Sequence, residues 1–248
     1  AAQLSIARDS AGFKVPSRGN DPIDLGHDDV HAAFAPERRP TERSSTVLLA
    51  EPGTRYTYLA LRFLTAARRT GQSALMISTK EDREALRRVC AADPALHPCL
   101  DEAKTRFHPA FRVLYLHPEF ISAGKFAWDI LRMARGGHGG GGGVARLVFD
   151  NVHRLTNRFP LLDNEQFLIR ALVDLVRYEG ITPLFIDMAP RGAGVGRVPF
   201  DVADYMTTFD NVLHVYLDDR NDDEPKPQIR VLKGMSVESA HAAVPLRY

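Results

Sequence analysis

Ser44 to Arg68 reads SSTVLLAEPGTRYTYLALRFLTAAR, and the way this stretch divides decides the fold. A short apolar run, TVLLA, comes first. A Pro-Gly-Thr turn follows, and from Tyr56 to Arg69 apolar residues recur at helical spacing. Strand, loop and helix in that order is the layout of a phosphate-binding loop, G-x-x-x-x-G-K-[ST]. Its glycines let backbone N–H groups wrap the phosphates, its lysine meets the β and γ oxygens, and its hydroxyl meets Mg²⁺. The eight positions here are Ala50, Glu51, Pro52, Gly53, Thr54, Arg55, Tyr56 and Thr57. The frame is kept and the lysine is gone.

Working outward, the same alternation repeats. STVLLA (45–50) leads to a helix over 56–69, SALMIS (73–78) to one over 81–91, and FRVLYL (111–116) to one over 122–135. ARLVFD (145–150) leads through a loop to a helix over 164–178, and TPLFID (182–187) follows. Short, wholly apolar strands separated by helices predict a mainly parallel sheet covered on both faces. VLHVYL (212–217) and QIRVLK (228–233), joined by an acidic turn, predict an antiparallel C-terminal hairpin at the sheet edge. Residues 4–15 alternate about an Asp-Ser-Ala-Gly turn and read as a further hairpin. Residues 16–44, rich in Pro, Asp and Arg, read as linker with one helical turn. The domain division is therefore a 1–43 extension and a 44–248 domain.

Composition narrows the function. The 248 residues are 44% hydrophobic and 25% charged, as in an ordinary globular protein with one substantial core. Lys and Arg number 32 against 31 Asp and Glu, so a net charge of +1 gives no global field for nucleic acid or anionic lipid. Arg68, Arg69, Arg83, Arg87 and Arg88 alternate with acids and read as a solvated face. No apolar run approaches the roughly 20 residues of a membrane span. The opening AAQLSIARDS lacks the order of a signal peptide, so a cytoplasmic location is expected. The chain opens without Met and reads as a piece of something longer.

Several motifs are weighed and set aside. Cys90 and Cys99 flank a Pro-containing turn and are expected as buried thiols; with His97 they would lack a fourth zinc ligand. His27 and His31 stand at i and i+4, but without the Glu of a zinc-protease motif. The run Gly136–Gly143 reads as a mobile connection, and Arg191–Arg197 offers glycines in no strand-to-helix turn. Phe126, Trp128, Ile130, Leu131 and Met133 are expected to share the core face of their helix. His108, His117 and His153 have no triad spacing.

In an open parallel sheet ligands bind at the carboxyl ends of the strands. Thr79, Lys80 and Glu81 follow the second strand, Asp150 ends the fourth and Asp187 the fifth. These carboxylates are expected to converge on one edge of the sheet. Asp150 at the end of LVFD stands as a Walker-B aspartate does, with Thr57 as the matching hydroxyl for Mg²⁺.

From Ser44 to Tyr248 the arrangement resembles the KaiC-like ATPases of the RecA superfamily. STVLLAEPGTRYTYLALRFL stands where that family has its Walker-A strand and helix, with Gly53, Thr54 and Thr57 matching and Ala50, Arg55 and Tyr56 departing. ALMISTKEDREALRR is similar to the second strand, whose end carries a catalytic Glu pair; Lys80 replaces the first and Glu81 keeps the second. FRVLYLHPEFISAGKF and ARLVFDNVHRLTNRFP resemble the next segments of the family. IRVLKGMS resembles the last strand, which brings a Lys-x-Arg pair to a neighbouring subunit's nucleotide: Lys233 matches, and Met235 stands where the Arg would be. The resemblance implies a RecA-like P-loop fold, subunit-interface positions at Lys233 and Met235, and assembly with RecA- or KaiC-like subunits.

The departures fall on one function. Loss of the lysine removes charge-assisted contacts of roughly 1.5 to 3 kcal/mol each. Arg55 replaces a glycine where backbone approaches phosphate, and Lys80 replaces the base that would activate water. The expectation is a pseudo-ATPase acting as a structural or regulatory subunit, with a vestigial nucleotide site of Gly53, Thr54, Arg55, Tyr56, Thr57 and Asp150 and no resident cofactor. An atypical ATP·Mg-binding ATPase using Glu81, Thr57 and Asp150 is the first alternative. A RecA-like nucleic-acid-binding protein is the second.

Overall fold

The computed structural model describes residues 19, 21–34, 39–117, 122–135, 143–152, 154, 167–189, 202–218, 225–234, 237–238 and 243–248. The expected hairpin over 4–15, nearly all of the Gly136–Gly143 run, the 191–197 loop, His153 and Met235 lie outside the described residues.

β1 (Thr46–Ala50) runs through the middle of the sheet because all five of its residues are buried, so it must be covered on both faces. Its neighbours are β5 (Thr182–Met188) and β6 (Asn211–Asp218), both parallel to it, with Ala50 level with Met188 and Val215. Beyond β5 lie β4 (Arg146–Asp150), β2 (Ala74–Ser78) and the edge strand β3 (Phe111–Tyr115). Beyond β6, β7 (Lys226–Gly234) pairs antiparallel and carries the short strands β8 (Val237–Glu238) and β9 (Val244–Pro245) on its outer side. The predicted hairpin is thus β6–β7, with two small strands added. β1 and β4 are separated by β5, which places the loop after β1 and Asp150 on one edge with a strand's width between them.

Because strand side chains alternate, the sheet sorts its apolar residues into two cores. Leu48, Ala50, Met76, Val148, Ile186 and Leu213 face α1 (Asp28–Ala32), α2 (Tyr56–Arg69) and α3 (Arg83–Ala92). Val47, Leu49, Ile77, Phe149, Phe185 and Val212 face α4 (Ala123–Ala134), α5 (Phe167–Tyr178) and α6 (Val202–Thr208). The caps are local: the Asp82 carboxylate accepts from Ala85 N at 2.8 Å, and Ser122 Oγ from Lys125 N at 3.3 Å.

Three expectations change. Trp128 is 63% exposed, whereas Phe126 and Ile130 on the same helix are buried. The apolar residues of α4 are too many for one face, and the indole falls opposite the core. The stretch read as linker contributes Ile23, Leu25, Val30 and Phe34 to the core over α2. Arg62 Nε donates to Gly26 O at 2.6 Å, and Gly26, at φ +81°, approaches α2 so closely that a Cβ would lie 2.1 Å from Arg62 O. A 3-10 helix over Pro94–Cys99, and α6, have no counterpart in the apolar pattern.

Candidate functional site

At the carboxyl edge the loop after β1 closes on itself. Glu51 N donates to Val215 O at 2.9 Å, and Thr54 returns both its N–H, at 3.3 Å, and its hydroxyl, at 2.7 Å, to Glu51 O. Glu51 is buried and accepts from Leu217 N through Oε2 at 3.3 Å, so a carboxylate lies inside the turn. Gly53 holds φ +92°, while Arg55, where the motif has its second glycine, holds φ +50°. A left-handed conformation costs a residue with a Cβ about 1 kcal/mol or more. The guanidinium points outward, 4.9 Å from the Tyr248 ring centre and 5.6 Å from that of Tyr58.

Tyr248 arrives from the far end of the chain. Leu246 is buried in the core, Arg247 N donates to Asp29 at 2.8 Å, and the Tyr248 hydroxyl donates to Thr54 O. Its ring meets Tyr58 edge-on at 5.6 Å. No spacing in the sequence ties residue 248 to residue 54, so only the fold reveals this staple. Tyr248→Phe should lower stability by about 1 kcal/mol through the lost hydrogen bond to Thr54 O. A urea unfolding midpoint measures it, and an unchanged midpoint would deny the staple any energetic role.

Tyr56, the first residue of α2, turns inward and is buried. Burial, and then the nearby Asp150 carboxylate, raise the phenol above its ordinary value. The Lys80 ammonium lies 5.6 Å from the Tyr56 ring centre and 3.5 Å from Glu81 Oε1. Burial works to lower the Lys80 ammonium, but Tyr56 and Glu81 outweigh it and leave it raised. Ser78 Oγ accepts from Lys80 N and Glu81 N, at 3.3 and 2.9 Å, which fixes the turn carrying both.

Asp150 is fully buried, and among the described residues neither carboxylate oxygen has a hydrogen-bond partner. Its pKa is pushed up to about 6, chiefly by burial, with Lys80 pulling it down and Glu81 pushing it up. Thr57 is half-buried on the first turn of α2. Asp187 does not join this group. It alternates onto the face of Phe185 while Asp150 shares that of Val148, and its Oδ2 accepts from the Tyr205 hydroxyl of α6. The two carboxylates share the carboxyl edge, as expected from strand ends, but lie on opposite faces of the sheet.

Lys233 Nζ donates to Phe209 O at 2.7 Å and to Met206 O, so the ammonium sits at the carbonyl end of α6. His31 Nε2 accepts from Leu25 N at 2.7 Å, and His27 Nε2 lies 3.0 Å from Arg247 O; burial lowers both. Cys90 and Cys99 are buried free thiols, and Cys99 Sγ lies 3.0 Å from Thr65 Oγ1. Among the described residues no three potential metal ligands cluster. No helix among them is long and apolar enough to cross a membrane.

Among solved structures, a KaiC-like protein of the hyperthermophilic archaeon Pyrococcus horikoshii OT3 superposes with a TM-score of 0.67, over 92% of this chain and 94% of that one, at 17% identity. The chain has a KaiC-like, RecA-type fold. At that identity the likeness concerns the fold alone. No family model matches the sequence, and no curated protein does.

Proposed function

We propose that this KaiC-like domain is a pseudo-ATPase that serves as a structural or regulatory subunit in an assembly of RecA- or KaiC-like subunits. One observation carries the reading: Tyr56 is buried beside Asp150, in the position where the phosphate-binding lysine would stand. The residues present do not fit ATP·Mg²⁺. The two bare oxygens of Asp150 suit a hard cation. The phosphates, however, would meet a phenol in place of an ammonium, the Glu51 carboxylate, and a side chain at the second glycine position. Lys80 restores one positive charge at the edge, but over the Tyr56 ring.

A domain freed from chemistry keeps the surfaces by which such folds stack. Mg·ATP titrated into the protein in a calorimeter should give no saturable heat, and native mass measurement at micromolar concentration should find oligomers, with itself or with a KaiC-like partner. Saturable ATP binding would sink the first half of the reading, and a strict monomer under all those conditions the second.

The nucleic-acid alternative gains nothing from the helix arginines. Arg87 and Arg88 both bind Glu84, at 2.6 and 3.2 Å, as an exposed ion-paired face does.

A further inference from the structure

At the opposite end of the sheet from Asp150, where β4 and β5 begin, lies a polar pocket of about 150 Å³ lined by Ile23, Glu42, Arg43, Gln72, Ala145, Arg146, Gly180 and Thr182. That is room for several waters or one small solute. Arg146 forms its inner wall and is only 5% exposed. Its Nη1 donates to Asp24 O and, at 3.1 Å, to Phe63 O, and its Cζ lies 5.1 Å from the Phe63 ring centre. These contacts hold the guanidinium in place without neutralising it.

Two features set Arg146 apart from a purely structural arginine. It forms no ion pair among the described residues; Asp24 and Glu42 act on it only from beyond contact, and burial lowers its pKa. Its Nε and Nη2 donors have no acceptor among those residues either. Neither nitrogen is sealed from solvent, so on an otherwise buried guanidinium these two donors are left for water or, better matched in charge, an anion to complete. Nε and Nη2 form the planar fork that matches two oxygens of one oxyanion. The surroundings agree. Arg43 Nε lies 3.8 Å from where a Cβ of Gly180 would stand, which places a second guanidinium at the rim. Thr182 Oγ1 accepts from Arg43 N at 2.9 Å, leaving its proton to donate. Gln72 adds an amide, and Glu42 is the one carboxylate in the lining.

We propose that this pocket binds a small oxyanion, gripped by the Nε/Nη2 fork of Arg146 with Arg43, Gln72 and Thr182 around it. The site is independent of the loop after β1 and stands whether or not that loop takes nucleotide. A ligand there would tie residues 23–24, the turn after α2 and the starts of β4 and β5 into one unit.

Calorimetry of the full chain at constant ionic strength, with inorganic phosphate, sulfate and acetate in separate arms, tests it. Saturable heat with phosphate or sulfate is expected; saturation by acetate alone would assign the site to carboxylates instead. Arg146→Lys should weaken binding at least tenfold by removing the fork, but it also disturbs the contacts to Asp24 and Phe63 and can fail to fold. Gln72→Glu, at the half-exposed turn, keeps those contacts, puts a negative charge at the pocket and should likewise weaken binding tenfold or more with the melting temperature retained. Glu42→Gln should tighten it several-fold. No saturable heat in any arm, or unchanged binding in folded Gln72→Glu, overturns the proposal.

Discussion

Asp150→Asn should raise the melting temperature at pH 8 by about 5 to 10 °C and leave it nearly unchanged at pH 4. The carboxyl has a pKa of about 6 in the fold and about 4 in the unfolded chain. Below pH 4 both states hold the proton, so the fold carries no penalty there. Between pH 4 and 6 the unfolded chain ionises first, and stability falls as pH rises. Above pH 6 the loss is complete and amounts to about 3 kcal/mol. Asparagine is neutral throughout and nearly isosteric, so it resembles the protonated acid at low pH and avoids the buried charge at high pH. Both oxygens lack partners among the described residues, so no hydrogen bond there offsets the gain. Scanning calorimetry from pH 4 to 8 decides it: parallel pH profiles for the two proteins would mean that Asp150 does not carry the shift.

That penalty also bears on function. An uncompensated carboxylate at the end of a central strand is a poor choice for stability alone, and its neighbours fail to neutralise it. The Lys80 side chain is 52% exposed and 3.5 Å from Glu81, so its charge is shared with Glu81 and with water. On the proposed reading such a residue is the remnant of a site whose other components have changed while its scaffold stayed.

Much of this was legible in the sequence because it rests on local pattern. Strands such as TVLLA and RLVFD are apolar on both faces and can only be interior, and α2 begins and ends where its periodicity does. The positions of Arg55 and Tyr56 followed from motif register. Contacts that close over long chain separations left no local signature: Tyr248 on Thr54, residues 23–34 on α2, and Arg146 reaching Asp24. The sides of the sheet taken by Asp150 and Asp187 were readable from alternation, but only once strand pairing was fixed, since a shift of one residue exchanges the faces. Trp128 misled because hydrophobicity alone does not say which face of a helix is inward.

The combined change Arg55→Gly, Tyr56→Lys should create the Mg·ATP binding that the proposed reading denies to the wild-type chain. Glycine at position 55 removes the cost of φ +50° and lets the turn's backbone meet a phosphate. Its loss is the guanidinium over the partly exposed rings of Tyr58 and Tyr248, a contact of about 0.5 to 1 kcal/mol, so the relief and the loss nearly cancel and the fold should keep its melting temperature. Lysine at position 56 removes the buried phenol and brings an ammonium toward Asp150, whose charge offsets repulsion from Lys80. One charge-assisted contact of about 1.5 to 3 kcal/mol corresponds to roughly 10- to 150-fold in affinity. Calorimetry with Mg·ATP measures it, with Tyr56→Phe as the control that keeps the ring and should stay silent. On the proposed reading hydrolysis should not return with binding, because the resemblance puts Lys80 where the first catalytic Glu would be. If the folded double variant binds no better than the wild type, the barrier lies elsewhere in the turn, and the Glu51 carboxylate held against Leu217 N is the next group to remove.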